Sequence, residues 1–440
     1  MKLEKFLTYA KDNGIDECQI QFGKSSSLSI GLFDHDIDNY KVTSSQWVLA
    51  QGIYKGKMGY ASTEKLGKGT FEYLLDQIKK TATYNEKEGE ASLFEGSKKY
   101  KKYKSYNKAL DEAPVSEKIA LLKRIENAIC DFDKRIEKAD GVAYSEKTSE
   151  SYFYNSFGLK LRQKSNYFYI SGGAVAKQGE ETKTNYEFFL DNDLSKFGEA
   201  KFVKDVCVKA LDKFGGQSCP SGKYKTVLCQ DVASALTDYF LSAMIADEVQ
   251  RHSSFLEGKL GKKIASSKVN IDELPLTKNI FFSSFDDEGV ACSNKHLVKN
   301  GKLITYFYNR ETAKKDGVET TGNGSWTGGK IGTGYGNVFV KGGKKSFDEL
   351  ISDIEDGVYI TDIAGLGTGM NGNSGDFSCQ AEGYTIKNGK IDKPLNLITL
   401  SGNLLKMFLD CEGFSNETKL TDSSISIAHM RIKTMSIGGE

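Results

Sequence analysis

The sequence has only four prolines and four histidines in 440 residues. Proline usually makes up about 5% of a chain, so the turns must come from the 45 glycines together with Asn and Asp. Turns of that kind favour hairpins and antiparallel sheet. An excess of charge is missing too: 60 basic residues face 59 acidic ones, which argues against a dedicated nucleic-acid-binding protein. No apolar run is long enough to span a bilayer. The longest, near residues 236–246, is interrupted by Asp238. The first residues carry charges inside their apolar part, which does not read as an export signal. None of the eight cysteines forms a C-x-x-C pair. Reduced, mostly buried thiols in a cytoplasmic protein are the expectation.

What is present reads as a globular α+β chain of more than one domain, with 39% hydrophobic and 27% charged residues. Helical spacing marks residues 2–13 and 71–81, and strand patterns mark 17–22, 27–33, 47–54 and 57–61. Residues 1–85 therefore form an N-terminal α+β domain with an antiparallel sheet. Residues 86–112 break the pattern: an acidic stretch is followed by lysines interleaved with Tyr100 and Tyr103. Such a run can track a nucleic-acid backbone and stack bases, but it is short, and a solvated linker is the reading adopted. Residues 113–215 form a middle α+β region, with a helix from Ser116 to Cys130 and several strands over 141–190. Residues 222–440 form a large β-rich C-terminal domain. It opens with a strand at 225–229 and a helix from Asp231 that continues towards His252. Asn300-Gly301 and Asn388-Gly389, each between strand-like runs, predict two hairpins.

Legible catalytic chemistry is scarce. No His-x-x-x-His or His-x-x-Glu-His pattern and no G-x-S-x-G elbow exists. Glu248 and His252, four apart on the expected helix, form the nearest thing to a ligand pair. Asp247 and Arg251, also four apart, give the same stretch the look of an ordinary solvated face. Asp286-Asp287-Glu288-Gly289 can hold a hard cation but reads first as a turn. The glycine-rich stretch 328–336 feeds a strand, not the helix N-terminus a phosphate loop needs. Cys379 and Cys411 have no activating histidine nearby in sequence and read as core filler.

Several segments together resemble the TldD/PmbA family, also described as modulators of DNA gyrase. They are GYASTEKL at 59–66, YNSFGLKL at 154–161, RHSSFLEGKLGKKI at 251–264, SSFDDEGVACSNKHLVKNGKLITYFYNRETAKKDGVETTGN at 283–323, GNVFVKGGKKSFDELI at 336–351 and GTGMNGNSGDFSCQAEGYTIKNGKI at 367–391. Within them Asp286, Asp287, Glu288, Gly289, Asn323, Gly375 and Asp376 occupy family-motif positions. The resemblance implies a cytoplasmic zinc metallopeptidase system of two paralogous subunits acting on unfolded peptides. TldD-type chains carry His-Glu-x-x-x-His on the helix after the first strand of the C-terminal domain, and a late cysteine ligand. Here that helix holds no His-Glu pair, and the late ligand falls near Phe414, with Cys411 three residues away. The weak metal candidates are thus Glu248, His252 and Cys411, and the resemblance is to the PmbA (TldE) type. It implies a non-catalytic subunit with no cofactor of its own, zinc in a TldD-type partner, and a heterodimer or homodimer. An autonomous peptidase with atypical ligands and a gyrase-associated modulator are the alternatives.

Overall fold

The computed structural model describes residues 2–15, 17–85 and 91–440. The acidic start of the expected linker, residues 86–90, lies outside them. The chain divides into two compact units. The first comprises Met1–Ala210, Lys278–Cys292 and Gly324–Gly332; the second comprises Leu211–Thr277, Ser293–Asn323 and Thr333–Glu440. The fold is α+β, as expected.

Unit 1 is built on a six-stranded antiparallel sheet. Its strands are β1 (Cys18–Phe33), β2 (Asp36–Tyr54), β3 (Lys57–Thr63), β4 (Ile136–Asn155), β5 (Lys160–Gln178) and β6 (Glu181–Asp191), in the order β3-β2-β1-β4-β5-β6. Residues from 1–85 and from 113–215 thus share one sheet. The first two strands are longer than the apolar pattern predicted. Between their apolar ends runs a polar ladder in which Ser25 meets Ser45 at 2.8 Å and Ser27 meets Thr43 at 2.5 Å. Hydroxyl pairs across strands hold register as apolar pairs do. Helices Leu3–Asp12 and Thr70–Thr83 place Phe6, Ala10, Leu74 and Ile78 against Ile20, Val48 and Ala50.

Unit 2 contains β7 (Gly222–Leu228), β8 (Ile271–Glu273), β9 (Lys295–Lys299), β10 (Lys302–Leu303), then, after the ribbon β11 (Gly324–Thr327) and β12 (Lys330–Thr333), β13 (Val338–Val340), β14 (Asp356–Ala364), β15 (Asp376–Lys387), β16 (Lys390–Asn403), β17 (Cys411–Leu420) and β18 (Ile425–Gly438). Strands β7, β14, β15, β16 and β18 pair in a closed ring, with β7 parallel to β14 and the other pairs antiparallel. Closure removes the sheet edges that would otherwise invite mispairing. Helix Gln230–Ser242 buries Val232, Leu236 and Phe240 in the core of this unit.

Both Asn-Gly hairpins form. Asn300 and Gly301 have φ of 50° and 75°, and Asn388 and Gly389 repeat these values, as a type I′ turn requires. At Gly301 the backbone is also closely covered, since a Cβ would stand 2.2 Å from the Ala265 carbonyl oxygen. Gly301→Ala is therefore expected to destabilise the protein by about 2–4 kcal/mol, from the left-handed conformation and the backbone clash together. Chemical denaturation checks this; a loss below about 0.5 kcal/mol would contradict it.

Candidate functional site

The helix that would carry a metal motif is shorter than expected. Helix Gln230–Ser242 ends before Ile245, which leaves the helix to bridge Phe307. A separate turn of helix, Ala246–Gln250, follows, and His252 has φ +60°. The helical spacing through Met244 concealed this break, because an apolar residue facing the core has the same pattern on either side of it. Glu248 and His252 therefore do not sit as neighbours on one continuous helix. Glu248 pairs with Arg251. The His252 imidazole is 79% exposed, with Nδ1 2.7 Å from Glu257 Oε1. Cys411 is buried, and burial pushes its thiol up to about 12, far from a thiolate ligand. Cys379 is buried and pushed up to about 11 for the same reason.

Catalytic zinc needs about three N, S or O ligands converging on one point. Among the described residues, no group of three His, Cys, Asp or Glu side chains is placed to hold a metal ion. Two of the other histidines are engaged with carboxylates: His296 Nδ1 lies 2.6 Å from Asp272 and His35 Nδ1 lies 3.5 Å from Glu126. His429 packs against the rings of Phe347 and Tyr359.

The family-motif residues fall into three groups: the 286–289 turn, Asn323, and the Gly375-Asp376 turn. Asp286, Asp287 and Glu288 belong to unit 1, where they form a turn as expected but a buried one: Asp286 and Glu288 are 8% and 7% exposed. Asp286 accepts from the N–H groups of Glu288, Val290 and Gly324, at 2.8–2.9 Å. Asp287 accepts from the Gln21 amide at 3.0 Å and the Trp326 N–H at 2.8 Å, and its carbonyl accepts from the Gln19 amide at 2.9 Å. Gly289 has φ +81°, and a Cβ there would stand 2.7 Å from the Phe153 ring. The motif thus fastens segment Lys278–Cys292 and the ribbon β11-β12 to strand β1. The tyrosines of the basic run belong to the same cluster. The Tyr100 hydroxyl donates to the Gly289 carbonyl at 2.7 Å, and Tyr103 stacks edge-on to Phe282 at 5.1 Å. The lysines around them are exposed, as a solvated linker requires, but the rings are docked and are not a free stacking platform.

Burial, and next the Glu288 carboxylate beside it, raise the Asp286 pKa well above its ordinary 3.8. The folded protein therefore keeps a proton that the unfolded chain releases. This contribution is fully present below the unfolded pKa and is lost as pH rises through the raised folded value. Glu288→Gln removes the neighbouring charge, so the melting temperature of the variant is expected to gain on the parent as pH rises from about 5 to 8. Parallel melting curves across that range would contradict this.

The other two groups lie in unit 2. Glu273, 3% exposed, meets Lys295 Nζ at 2.5 Å; its other oxygen accepts from the Asn323 amide at 2.8 Å and the Gly336 N–H at 3.1 Å. Asn323 also donates to the Gly334 carbonyl at 2.9 Å. Gly375, with φ +77°, turns the chain into β15, where Asp376 accepts from Ser374 at 2.7 Å and Asn403 at 2.9 Å. Those two bonds lower the Asp376 pKa. These hydrogen bonds hold the local turns in place.

Two family models match the chain. The PmbA/TldA metallopeptidase C-terminal domain matches residues 221–439, and the central domain of the same family matches residues 108–214. "Metalloprotease PmbA" of Escherichia coli O157:H7 is 26% identical over 331 residues, which span 75% of this chain and 71% of that one. A Thermotoga maritima protein described as a candidate modulator of a DNA gyrase superposes with a TM-score of 0.91 at 27% identity, over 99% of both chains. TldE of Thermococcus kodakarensis shares the fold, with a TM-score of 0.90 at 22% identity, over 99% of this chain and all of that one.

Proposed function

This chain belongs to the PmbA/TldD metallopeptidase family, and we propose that within it the chain is the non-catalytic, PmbA-type subunit. The observation that carries this reading is the state of the metal-bearing helix. No His-Glu pair stands on Gln230–Ser242 or Ala246–Gln250, His252 is engaged with Glu257 in solvent, and Cys411 is buried as a neutral thiol. Catalytic zinc acts by lowering the pKa of its bound water and polarising the scissile carbonyl, and these side chains do not converge to supply it with ligands. The chain would instead shape the peptide-binding space of a cytoplasmic heterodimer whose TldD-type partner holds the zinc, acting on unfolded peptides. The docked tyrosines and the near-zero net charge speak against a nucleic-acid-binding role.

The test is the metal content of the purified chain. Elemental analysis after dialysis is expected to find far less than one zinc per chain. About one zinc per chain, lost in His252→Ala, would overturn the reading, since a structural or catalytic site holds its metal stoichiometrically.

A further inference from the structure

We infer that a basic cleft in unit 2 binds an extended acidic peptide segment through its carboxylates. The cleft has a volume of about 590 Å³, within the range of ligand sites. Five stretches build it: the loop carrying Lys268, the Lys341–Lys345 segment, the Leu350–Asp353 turn, the start of β17, and Arg431 on β18. Its framework is fixed by backbone hydrogen bonds. Gly343 N–H donates to the Ser415 carbonyl at 2.8 Å, Asn416 N–H to the Lys345 carbonyl at 2.7 Å, and Lys341 N–H to the Asn270 carbonyl at 3.0 Å. Close packing demands glycine at 343, where a Cβ would stand 2.0 Å from the Phe414 carbonyl oxygen.

The charges of the lining fall into two classes. Arg431 is 9% exposed and already committed: its Nε donates to Glu412 at 2.8 Å, and its Nη1 to Asp353 at 2.5 Å and to the Leu350 carbonyl at 2.8 Å. The guanidinium in turn holds the Asp353 carboxyl at about 2, and both acids of the cleft are occupied by it. Lys268, Lys341 and Lys345 are exposed, and among the described residues they form no ion pair. Three ammonium groups outside any ion pair, of which Lys345 also acts on the Asp353 charge, give this concave site a positive field, which attracts and orients an anion. A cleft of about 590 Å³ is far larger than a compact anion such as phosphate and has room for a chain segment carrying several carboxylates. Leu350 and Phe414 add apolar surface to the lining.

This inference rests on the reading that the chain handles peptides. Its test uses the isolated full chain with no metal and no partner subunit, so its failure leaves the zinc measurement untouched. Fluorescence anisotropy is measured with a labelled peptide of consecutive glutamates flanked by glycine, and with the same peptide carrying glutamines. The glutamate peptide is expected to bind with an affinity that falls as salt rises, and the glutamine peptide at least ~10-fold more weakly. The triple variant Lys268→Gln, Lys341→Gln, Lys345→Gln is expected to lose at least ~10-fold in affinity with an unchanged melting temperature. A control with the same charge change at exposed Lys299, Lys302 and Lys390 should bind as the parent does. Equal binding of the two peptides, equal losses in both triple variants, or binding of inorganic phosphate but not of the glutamate peptide would each overturn the inference.

Discussion

Lys295→Met is expected to destabilise unit 2 by about 3–5 kcal/mol, the cost of leaving a buried carboxylate without its cation. Lys295 and Glu273 stand opposite each other on β9 and β8, with side-chain exposures of 12% and 3%. Glu273 would keep its bonds from Asn323 and Gly336, which places the loss towards the lower end of that range. For a unit of this size the melting temperature should fall by roughly 10 °C. The double variant Glu273→Gln/Lys295→Met should be more stable than Lys295→Met, because a neutral amide leaves no buried charge behind. Calorimetry of the single and double variants checks both statements. A Lys295→Met protein within about 0.5 kcal/mol of the parent would show that the pair contributes little.

Local chemistry was legible in the sequence wherever it determined structure locally. Asn300-Gly301 and Asn388-Gly389 specify their turns through positive φ alone, and the antiparallel sheet followed from a chain that turns on glycine and asparagine. The apolar spacing of Val232, Leu236 and Phe240 located the helix that packs in the unit 2 core. The features that depend on distant partners were not legible. Strands β1 and β2 continue through a serine and threonine ladder because the hydroxyls satisfy one another across the strands, and no alternation of apolar residues announces that. Asp286 and Glu288 read only as a turn, and its burial gave no signal because Gly324 and Gln21, which enclose the segment, are far away in sequence. Arg431 gave no signal at all, since Glu412 reaches it only once β17 pairs with β18, and Asp353 comes from a segment 78 residues away in sequence. The candidate site shows the same limit. The absent His-Glu-x-x-x-His could be read directly, but the orientation of His252 towards Glu257 required the positive φ that follows the break near Ser242.

Alone, the chain is expected to leave a flexible peptide intact, and with a TldD-type partner it is expected to support hydrolysis that a chelator abolishes. Peptide hydrolysis needs an activated water and stabilisation of the tetrahedral oxyanion. The difference a catalytic metal makes is several kcal/mol of transition-state stabilisation, or orders of magnitude in rate. His252 is exposed and bound to Glu257, so His252→Ala should leave the activity of the mixture within about twofold of the parent. Cys411 cannot substitute as nucleophile while burial keeps it a thiol. The most direct test is a paired assay on one unfolded peptide, with the chain alone and with the partner, each repeated with His252→Ala. The account predicts no turnover by the lone chain and chelator-sensitive turnover by the mixture, unaffected by the substitution. Robust hydrolysis by the lone chain that disappears in His252→Ala would contradict it.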